Sequence, residues 1–410
     1  MSKTTSYPKD KIKILLLENI SENSSAEFRD NGYVSFERIS GALSEEQLIS
    51  IISDIHILGI RSKTQLTAGV LRKASKLLAV GCYCIGVNQV DLLEAERLGI
   101  AVFNAPHANT RSVAELVIGL SIMLIRRIPE KNAAAHRGIW LKDAKNAFEL
   151  RGKTIGIVGY GNIGSQVSIL AESLGMDVIF YDVEPKLAIG NAKPQTNLKS
   201  LLKRSHIVTL HVPGNSSTKQ LLNMELINEM KKGATLINLS RGDVIDLRAL
   251  QTALDNGFLA GAALDVFPEE PEKNGDPFQS VFQSMDQVIL TPHIGGSTEE
   301  AQMNIGQDVT AKLLRYLERG VSTGSLTIPQ LSLTPQDHTH RLLHIHENKP
   351  GILGEINSTL SAHQINISGQ FLKTNSRIGY VVLDIDSRLS PDALKLLKKV
   401  QGTIKTRILY

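Results

Sequence analysis

Short apolar runs alternate with amphipathic stretches through the first hundred residues. The runs at 12–17, 55–60, 77–80 and 101–104 read as buried strands, and the segments at 44–53 and 89–98 carry helical spacing. Strands alternating with helices predict βαβ units and a parallel sheet. The stretch at 112–125 predicts a largely buried helix linking two domains. A second series follows, with strands at 154–158, 177–181, 207–211, 235–239, 260–265 and 287–291, the six of a full dinucleotide-binding sheet. A long helix at 298–318 is placed to return the chain to the first domain. Residues 321–337 mix Ser, Thr, Pro and other polar types and read as a linker. The last seventy residues give a strand at 341–347, a helix to 362 with Pro350 at an early helical position, a hairpin at 366–373 and 377–386, a helix at 391–400 and a strand at 403–409. That βαββαβ order is ferredoxin-like.

The predicted class is α/β. A Rossmann-type cofactor domain (109–298) is inserted in a flavodoxin-like substrate domain (1–108 and 299–330). A linker (331–338) and a ferredoxin-like α+β domain (339–410) follow.

Composition narrows the function classes. The formal net charge is +4 with no long run of Lys or Arg, which argues against nucleic acid as partner. The polar segment 1–13 has no apolar core of a secretory signal, and no apolar run approaches the roughly 20 residues that span a bilayer. The expectation is a cytoplasmic protein without membrane contact. Two cysteines, Cys82 and Cys84, make neither a disulfide framework nor a zinc site, so no metal is expected.

The sharpest motif is Gly159-Tyr160-Gly161-Asn162-Ile163-Gly164, between the strand at 154–158 and a helix running to Leu174. Gly159 permits a tight turn, Gly161 lets backbone approach a pyrophosphate, and Gly164 lets helix and strand pack closely. The pyrophosphate then sits on a helix N-terminus. Asp182, after the next strand, would accept from both ribose hydroxyls and repel a 2′-phosphate, which predicts NAD over NADP.

Three further residues fall at strand ends, where open α/β sheets place ligands: Arg241, Glu270 and His293. Oxidation of a hydroxy acid removes a hydride from carbon and a proton from oxygen. An imidazole suits the proton, a carboxylate behind it fixes its tautomer, and a guanidinium grips the substrate carboxylate through two hydrogen bonds.

Together with His211-Val212-Pro213, Ser240-Arg241-Gly242, Asp265-Val266-Phe267, Glu270-Pro271 and His293-Ile294-Gly295-Gly296, these motifs resemble the D-isomer-specific 2-hydroxyacid dehydrogenases over nearly the whole chain. The segments Gly59 to Ser62, Gly86 to Asp91, Asn104 to Pro106 and Asn109 to Glu115 resemble the branch of that family whose substrate is 3-phospho-D-glycerate, oxidised to 3-phosphohydroxypyruvate in the first step of L-serine synthesis. The resemblance implies that His293 is the acid/base, Glu270 its partner and Arg241 the carboxylate anchor. Asn162, Ile163, Asp182, His211, Leu239, Ser240, Arg241, Asp265, His293, Gly295 and Gly296 would join the glycine loop in contacting NAD. Arg61, Ser62, Gly86, Val87, Asn88 and Asn109 would hold substrate with Arg241, Arg61 being the best candidate for the phosphate.

The C-terminal module resembles an ACT domain, a fold that pairs edge to edge and binds amino acids at the joint. His346, Asn348 and Asn366 match the positions that hold L-serine in serine-inhibited members. The resemblance further implies a homo-oligomer, a tetramer through Rossmann and ACT contacts. Serine bridging two modules would restrain a domain rotation, so a chain truncated near Thr334 is expected to keep turnover and lose inhibition. Trp140, the single tryptophan, reads equally as a subunit contact, an active-site edge or ordinary packing. Two other readings stay open at this point. One is a dehydrogenase for lactate, glyoxylate or 2-hydroxyglutarate, with side activity on 2-oxoglutarate a related possibility. The other is a non-catalytic NAD-sensing binding protein on the same scaffold.

Overall fold

The computed structural model describes residues 8–271, 275–334, 339–386 and 390–409. The chain divides into two compact units, Met1–Ala108 with Gln302–Tyr410, and Asn109–Ala301.

The first unit holds a five-stranded parallel sheet of β1 (Ile14–Leu16), β2 (Phe36–Arg38), β3 (Ile57–Ile60), β4 (Ala79–Cys82) and β5 (Ala101–Asn104), in the order β2-β1-β3-β4-β5. That is the flavodoxin order, and its topological switch point lies between β1 and β3. β1, β3, β4 and β5 are buried throughout, as continuous apolar runs require when helices cover both faces. β2 escapes the sequence pattern because it is a short, partly exposed edge strand.

The second unit holds a seven-stranded parallel sheet. Its strands are β6 (Thr154–Val158), β7 (Asp177–Tyr181), β8 (Lys193–Pro194), β9 (Ile207–Leu210), β10 (Thr235–Asn238), β11 (Gly261–Leu264) and β12 (Val288–Leu290), in the order β12-β11-β10-β9-β6-β7-β8. Six strands were expected. The seventh, β8, is a two-residue exposed edge with no apolar residue to announce it. Strand order reverses at β6, which places the glycine loop after β6 at the switch point. The helix Thr110–Ile125 buries Val113, Ala114, Val117, Leu120, Leu124 and Ile125, giving the expected internal helix.

The third sheet is antiparallel. It comprises β13 (Thr339–Glu347), β14 (Ile367–Thr374), β15 (Ile378–Asp386) and β16 (Thr403–Leu409), in the order β14-β15-β13-β16, with the helices Ile352–Ala362 and Ser390–Leu397. The predicted βαββαβ order is present. Pro350, however, precedes the helix rather than opening it. The helix starts at Ile352 behind Gly351, whose φ of 93° is a left-handed value that glycine adopts without strain.

The linker reading is corrected over 321–334. Ile328 and Leu333 are buried in the same apolar cluster as Phe103, Tyr316 and Tyr380. The Thr327 hydroxyl donates to Ile100 O at 2.7 Å and accepts from Val102 N at 3.0 Å. Apolar residues too sparse for a strand or helix still suffice to seat an irregular segment when its hydroxyls complete the hydrogen bonding. Residues 335–338, the rest of that expectation, lie outside the described residues.

The antiparallel sheet also caps the helix Glu299–Arg319. Arg341 donates to Arg319 O at 3.0 Å and to Thr334 O at 3.2 Å while its fork grips Asp384 through Nε and Nη2. Arg407 donates to Tyr316 O at 2.6 Å. These cations meet the negative end of the helix dipole and the carbonyls of its last turn. Truncation near Thr334 would strip these partners and uncover the cluster around Tyr316, so it does not isolate regulation from stability. The fully buried Tyr380 donates to Gly320 O at 2.6 Å. Tyr380→Phe is expected to lower the urea midpoint, at a cost of about 1–3 kcal/mol for the carbonyl left unpaired. An unchanged midpoint would show that the carbonyl finds another partner.

Candidate active site

The glycine loop follows β6. A Cβ on Gly159 (φ 91°) would lie 2.5 Å from His211 O, and one on Gly164 would lie 2.2 Å from Gly159 O, so neither position accepts a side chain. A Cβ on Gly161 would meet nothing within 4 Å. The close-packing roles therefore fall to Gly159 and Gly164, and the open side of the loop is at Gly161. Gly161 is also the N-cap of the helix Asn162–Ser173, with no side-chain cap. Without a side-chain cap, the N-terminal turn of this helix presents backbone N–H groups and the positive end of its dipole on the side of the glycine loop, the arrangement that receives an anion. Asp182 accepts from Tyr160 N at 2.7 Å through Oδ2 and from Glu184 N at 3.0 Å through Oδ1. Each oxygen keeps a lone pair for a hydroxyl. A pyrophosphate and a ribose diol fit this donor and acceptor set.

The remaining residues line up on the C-terminal ends of β9, β10, β11 and β12, consecutive neighbours in the sheet. His211 follows β9. Its Nε2 meets the Thr209 hydroxyl at 2.9 Å, and its buried Nδ1 has no hydrogen-bond partner among the described residues. Burial holds this imidazole down to about 3, hence neutral. Leu239 and Ser240 are buried after β10, and the Ser240 amide and hydroxyl both donate to Asn238 Oδ1. Arg241 is exposed. One of its guanidinium nitrogens donates to Ser240 O at 2.7 Å, and no carboxylate among the described residues pairs with it.

The structure brings His293 and Glu270 together. His293 Nδ1 lies 2.8 Å from Glu270 Oε2, and Glu270 Oε1 accepts from Phe267 N at 3.0 Å. The carboxylate is thus held from behind and the ring is held by the carboxylate. The His293 side chain remains 54% exposed, so Nε2 is open to a ligand. Its backbone has φ 53°, the left-handed region that a histidine rarely adopts.

Asp265 holds that turn in place. It is 1% exposed and accepts from the Thr291 hydroxyl at 2.6 Å, Ile294 N at 2.8 Å and Gly295 N at 2.8 Å. The sequence reading had it contacting NAD. Its hydrogen bonds run to the His293 turn, a role that side-chain type alone does not disclose. Gly296 packs on Asn109, whose Nδ2 would lie 2.1 Å from a Cβ there. Asn109 is 8% exposed and sits against this turn.

In the other unit, Arg61 follows β3 and Gly86, Val87 and Asn88 follow β4. Gln89 Nε2 ties the two loops, donating to Arg61 O at 2.6 Å and Gly86 O at 3.5 Å. Arg61 Nη2 donates to Gln302 Oε1 at 2.7 Å, and Ser62 is exposed beside it. Glu18, Gln89 and Gln302 were not singled out from sequence, because polar residues at strand ends carry no periodic signal.

On the antiparallel sheet, His346 and Asn348 lie at the end of β13. His346 Nδ1 meets Glu347 O, its buried Nε2 lacks a partner among the described residues, and Asn348 Nδ2 donates to Asn375 O at 2.6 Å. Asn366 is not brought to them. It precedes β14 at the opposite end of the sheet, where Ile367 pairs Ile385 and His340 pairs Ile385 on β15. Trp140 is 84% exposed, which removes ordinary packing within the chain from its readings. Both cysteines are free, and no cluster of potential metal ligands occurs among the described residues.

The pattern of the D-isomer specific 2-hydroxyacid dehydrogenase NAD-binding domain matches residues 118–295, and that of an ACT domain like the AHAS small subunit matches residues 342–405. D-3-phosphoglycerate dehydrogenase of Escherichia coli K12 is 51% identical over 407 residues, 99% of each chain. That of Dictyostelium discoideum is 48% identical over 410 residues, all of each chain. Among solved structures, a D-lactate dehydrogenase from Sporolactobacillus superposes with a TM-score of 0.67 at 30% identity, covering 77% of this chain and 98% of its own.

The state of His211 has a consequence for stability. Unfolding restores the ordinary value of 6.5, so between pH 6.5 and about 3 the unfolded chain binds a proton that the folded chain does not. Stability therefore falls as pH drops through that window. His211→Gln is expected to flatten the fall in urea midpoint between pH 6.5 and 4.5. An unchanged slope would contradict the buried, neutral ring.

Proposed function

The chain belongs to the D-3-phosphoglycerate dehydrogenases of the D-isomer-specific 2-hydroxyacid dehydrogenase family, and from that we propose how its residues divide the work of oxidising 3-phospho-D-glycerate to 3-phosphohydroxypyruvate. It is an NAD-dependent oxidoreductase of serine biosynthesis. The observation that carries the residue assignment is the imidazole of His293 held on the Glu270 carboxylate at 2.8 Å.

NAD, when bound, supplies the hydride acceptor. The first turn of the helix Asn162–Ser173 would receive its pyrophosphate, and Asp182 its ribose hydroxyls. Asp182 also favours a plain ribose, since a 2′-phosphate would face a carboxylate. Arg241, which pairs with no carboxylate among the described residues, would grip the substrate carboxylate through two N–H groups. His293 Nε2 takes the proton of the C2 hydroxyl. Glu270 keeps Nδ1 protonated so that Nε2 is the accepting nitrogen, and it stabilises the imidazolium that results. In the reverse direction the same Nε2 returns the proton to the carbonyl oxygen. Arg61 and Ser62, with the Gly86 to Asn88 backbone and Asn109, are assigned to the substrate and the phosphate to Arg61. A second carboxylate in place of phosphate could use the same cation, which supports a side activity on 2-oxoglutarate.

L-Serine is the proposed effector, at His346, Asn348 and Asn366. A single copy keeps Asn366 at the far end of its sheet. A two-fold pairing of two sheets through the outer edge of β14 would set Asn366 of one copy beside His346 and Asn348 of the other. The exposed Ile139, Trp140 and Leu141 support a second self-contact, through the Rossmann unit, and so a tetramer. No helix among the described residues is long and apolar enough to cross a membrane. A cytoplasmic location is proposed with that.

The direct test is NADH oxidation with 3-phosphohydroxypyruvate, with and without L-serine. Turnover that serine suppresses is expected, with the suppression lost in His346→Ala and Asn348→Ala. Absence of turnover would point instead to a binding protein, and turnover indifferent to serine would remove the effector assignment.

A further inference from the structure

We infer that Glu18 is a positioning residue for the substrate phosphate, acting through the Arg61 loop. The inference rests on the assignment of Arg61 to that phosphate.

Glu18 stands just past the C-terminal end of β1, and Arg61 just past that of β3. These are the two strands flanking the switch point of the flavodoxin-order sheet, the place where such sheets open a crevice for ligands. The Glu18 carboxylate is turned into the Arg61 loop. Oε1 accepts from Arg61 N at 3.2 Å and Thr64 N at 2.8 Å, and Oε2 accepts from Lys63 N at 3.0 Å. The residue is 7% exposed and pairs with no Lys, Arg or His among the described residues. A buried carboxylate without a cation persists only where N–H groups replace its water. Amides of neighbouring residues converging on one anion form a nest, the type of backbone concavity that elsewhere takes a ligand anion. Here the chain fills its own nest.

Two features show that the fit is imposed rather than incidental. Glu18 adopts φ 59° and Asn19 φ 54°, left-handed values that a glutamate takes up only when its surroundings demand it. The loop itself has little else to hold it. Leu66 N bonds Gln89 O, and Gln89 Nε2 bonds Arg61 O, but the amides of Arg61, Lys63 and Thr64 meet Glu18. With the nest occupied, a phosphate cannot settle on those amides. The guanidinium of Arg61, steadied by Gln302 at 2.7 Å, is left as the cation that meets it. Glu18 therefore sets both where Arg61 starts and what the loop offers an anion.

The test is a cycle of four full-length proteins: wild type, Glu18→Gln, Arg61→Ala and the double variant, assayed with NADH and 3-phosphohydroxypyruvate. Gln keeps the shape but cannot accept at Nε2, so one amide loses its partner. Glu18→Gln is expected to raise KM for 3-phosphohydroxypyruvate about tenfold, the worth of one such hydrogen bond. It should leave kcat and KM for NADH within about twofold, and add nothing in the Arg61→Ala background. Raised KM in Arg61→Ala with a multiplying effect of Glu18→Gln overturns the inference alone. So does an unchanged KM in folded Glu18→Gln. An unchanged KM in Arg61→Ala overturns the phosphate assignment and this inference with it. Parallel changes in kcat, both KM values and thermal midpoint would reduce Glu18 to a structural residue. Glu18→Asp, with the charge kept and the reach shortened by a methylene, runs through the same cycle should Glu18→Gln not fold.

Discussion

The catalytic geometry depends on one buried carboxylate. Asp265 sits at the end of β11 and forms no ion pair among the described residues, and the hydroxyl and two amides it accepts from belong to the turn that carries His293. Its desolvation is offset only while all three hydrogen bonds are made, so the turn has a single favoured arrangement. That arrangement forces His293 into the left-handed region and points Nδ1 at Glu270. The strain of a histidine at φ 53° is thus met by bonds elsewhere in the turn, and an acid/base group stays oriented before any substrate arrives.

The same device recurs in the other unit. Glu18 gathers three amides of the loop after β3, as Asp265 gathers donors of the turn after β12. In each case a buried carboxylate at one strand end organises the functional loop of another strand. Parallel sheets invite this, because every strand ends on the same side and the loops that leave them are short and irregular. Buried carboxylates satisfied by backbone donors impose a conformation more strictly than apolar contacts, which tolerate sliding.

Much of this was legible in the sequence. Strands buried on both faces announce themselves as continuous apolar runs, and ten parallel strands, all but β2 and β8 among the described residues, fall within two residues of their expected positions. The glycine loop, Asp182, Arg241, Glu270 and His293 could be chosen because each chemistry demands a particular side chain at a strand end. What escaped was of two kinds. The edge strands Phe36–Arg38 and Lys193–Pro194 bury too little to leave a pattern. The organising roles of Glu18 and Asp265, and the distance of Asn366 from Asn348, depend on contacts between segments far apart in sequence. Residues 321–334 misled for the same reason. Their polar composition reads as a linker until Thr327 is seen bridging Ile100 and Val102.

The most direct measurement compares turnover with cofactor affinity when the imidazole is removed. In His293→Gln, kcat for 3-phosphohydroxypyruvate reduction should fall by about 10²–10⁴, the usual worth of a positioned proton donor. The NADH dissociation constant from fluorescence titration should stay within about twofold of wild type, because the glycine loop and Asp182 are untouched. Turnover within tenfold of wild type would contradict the assignment of the proton to His293.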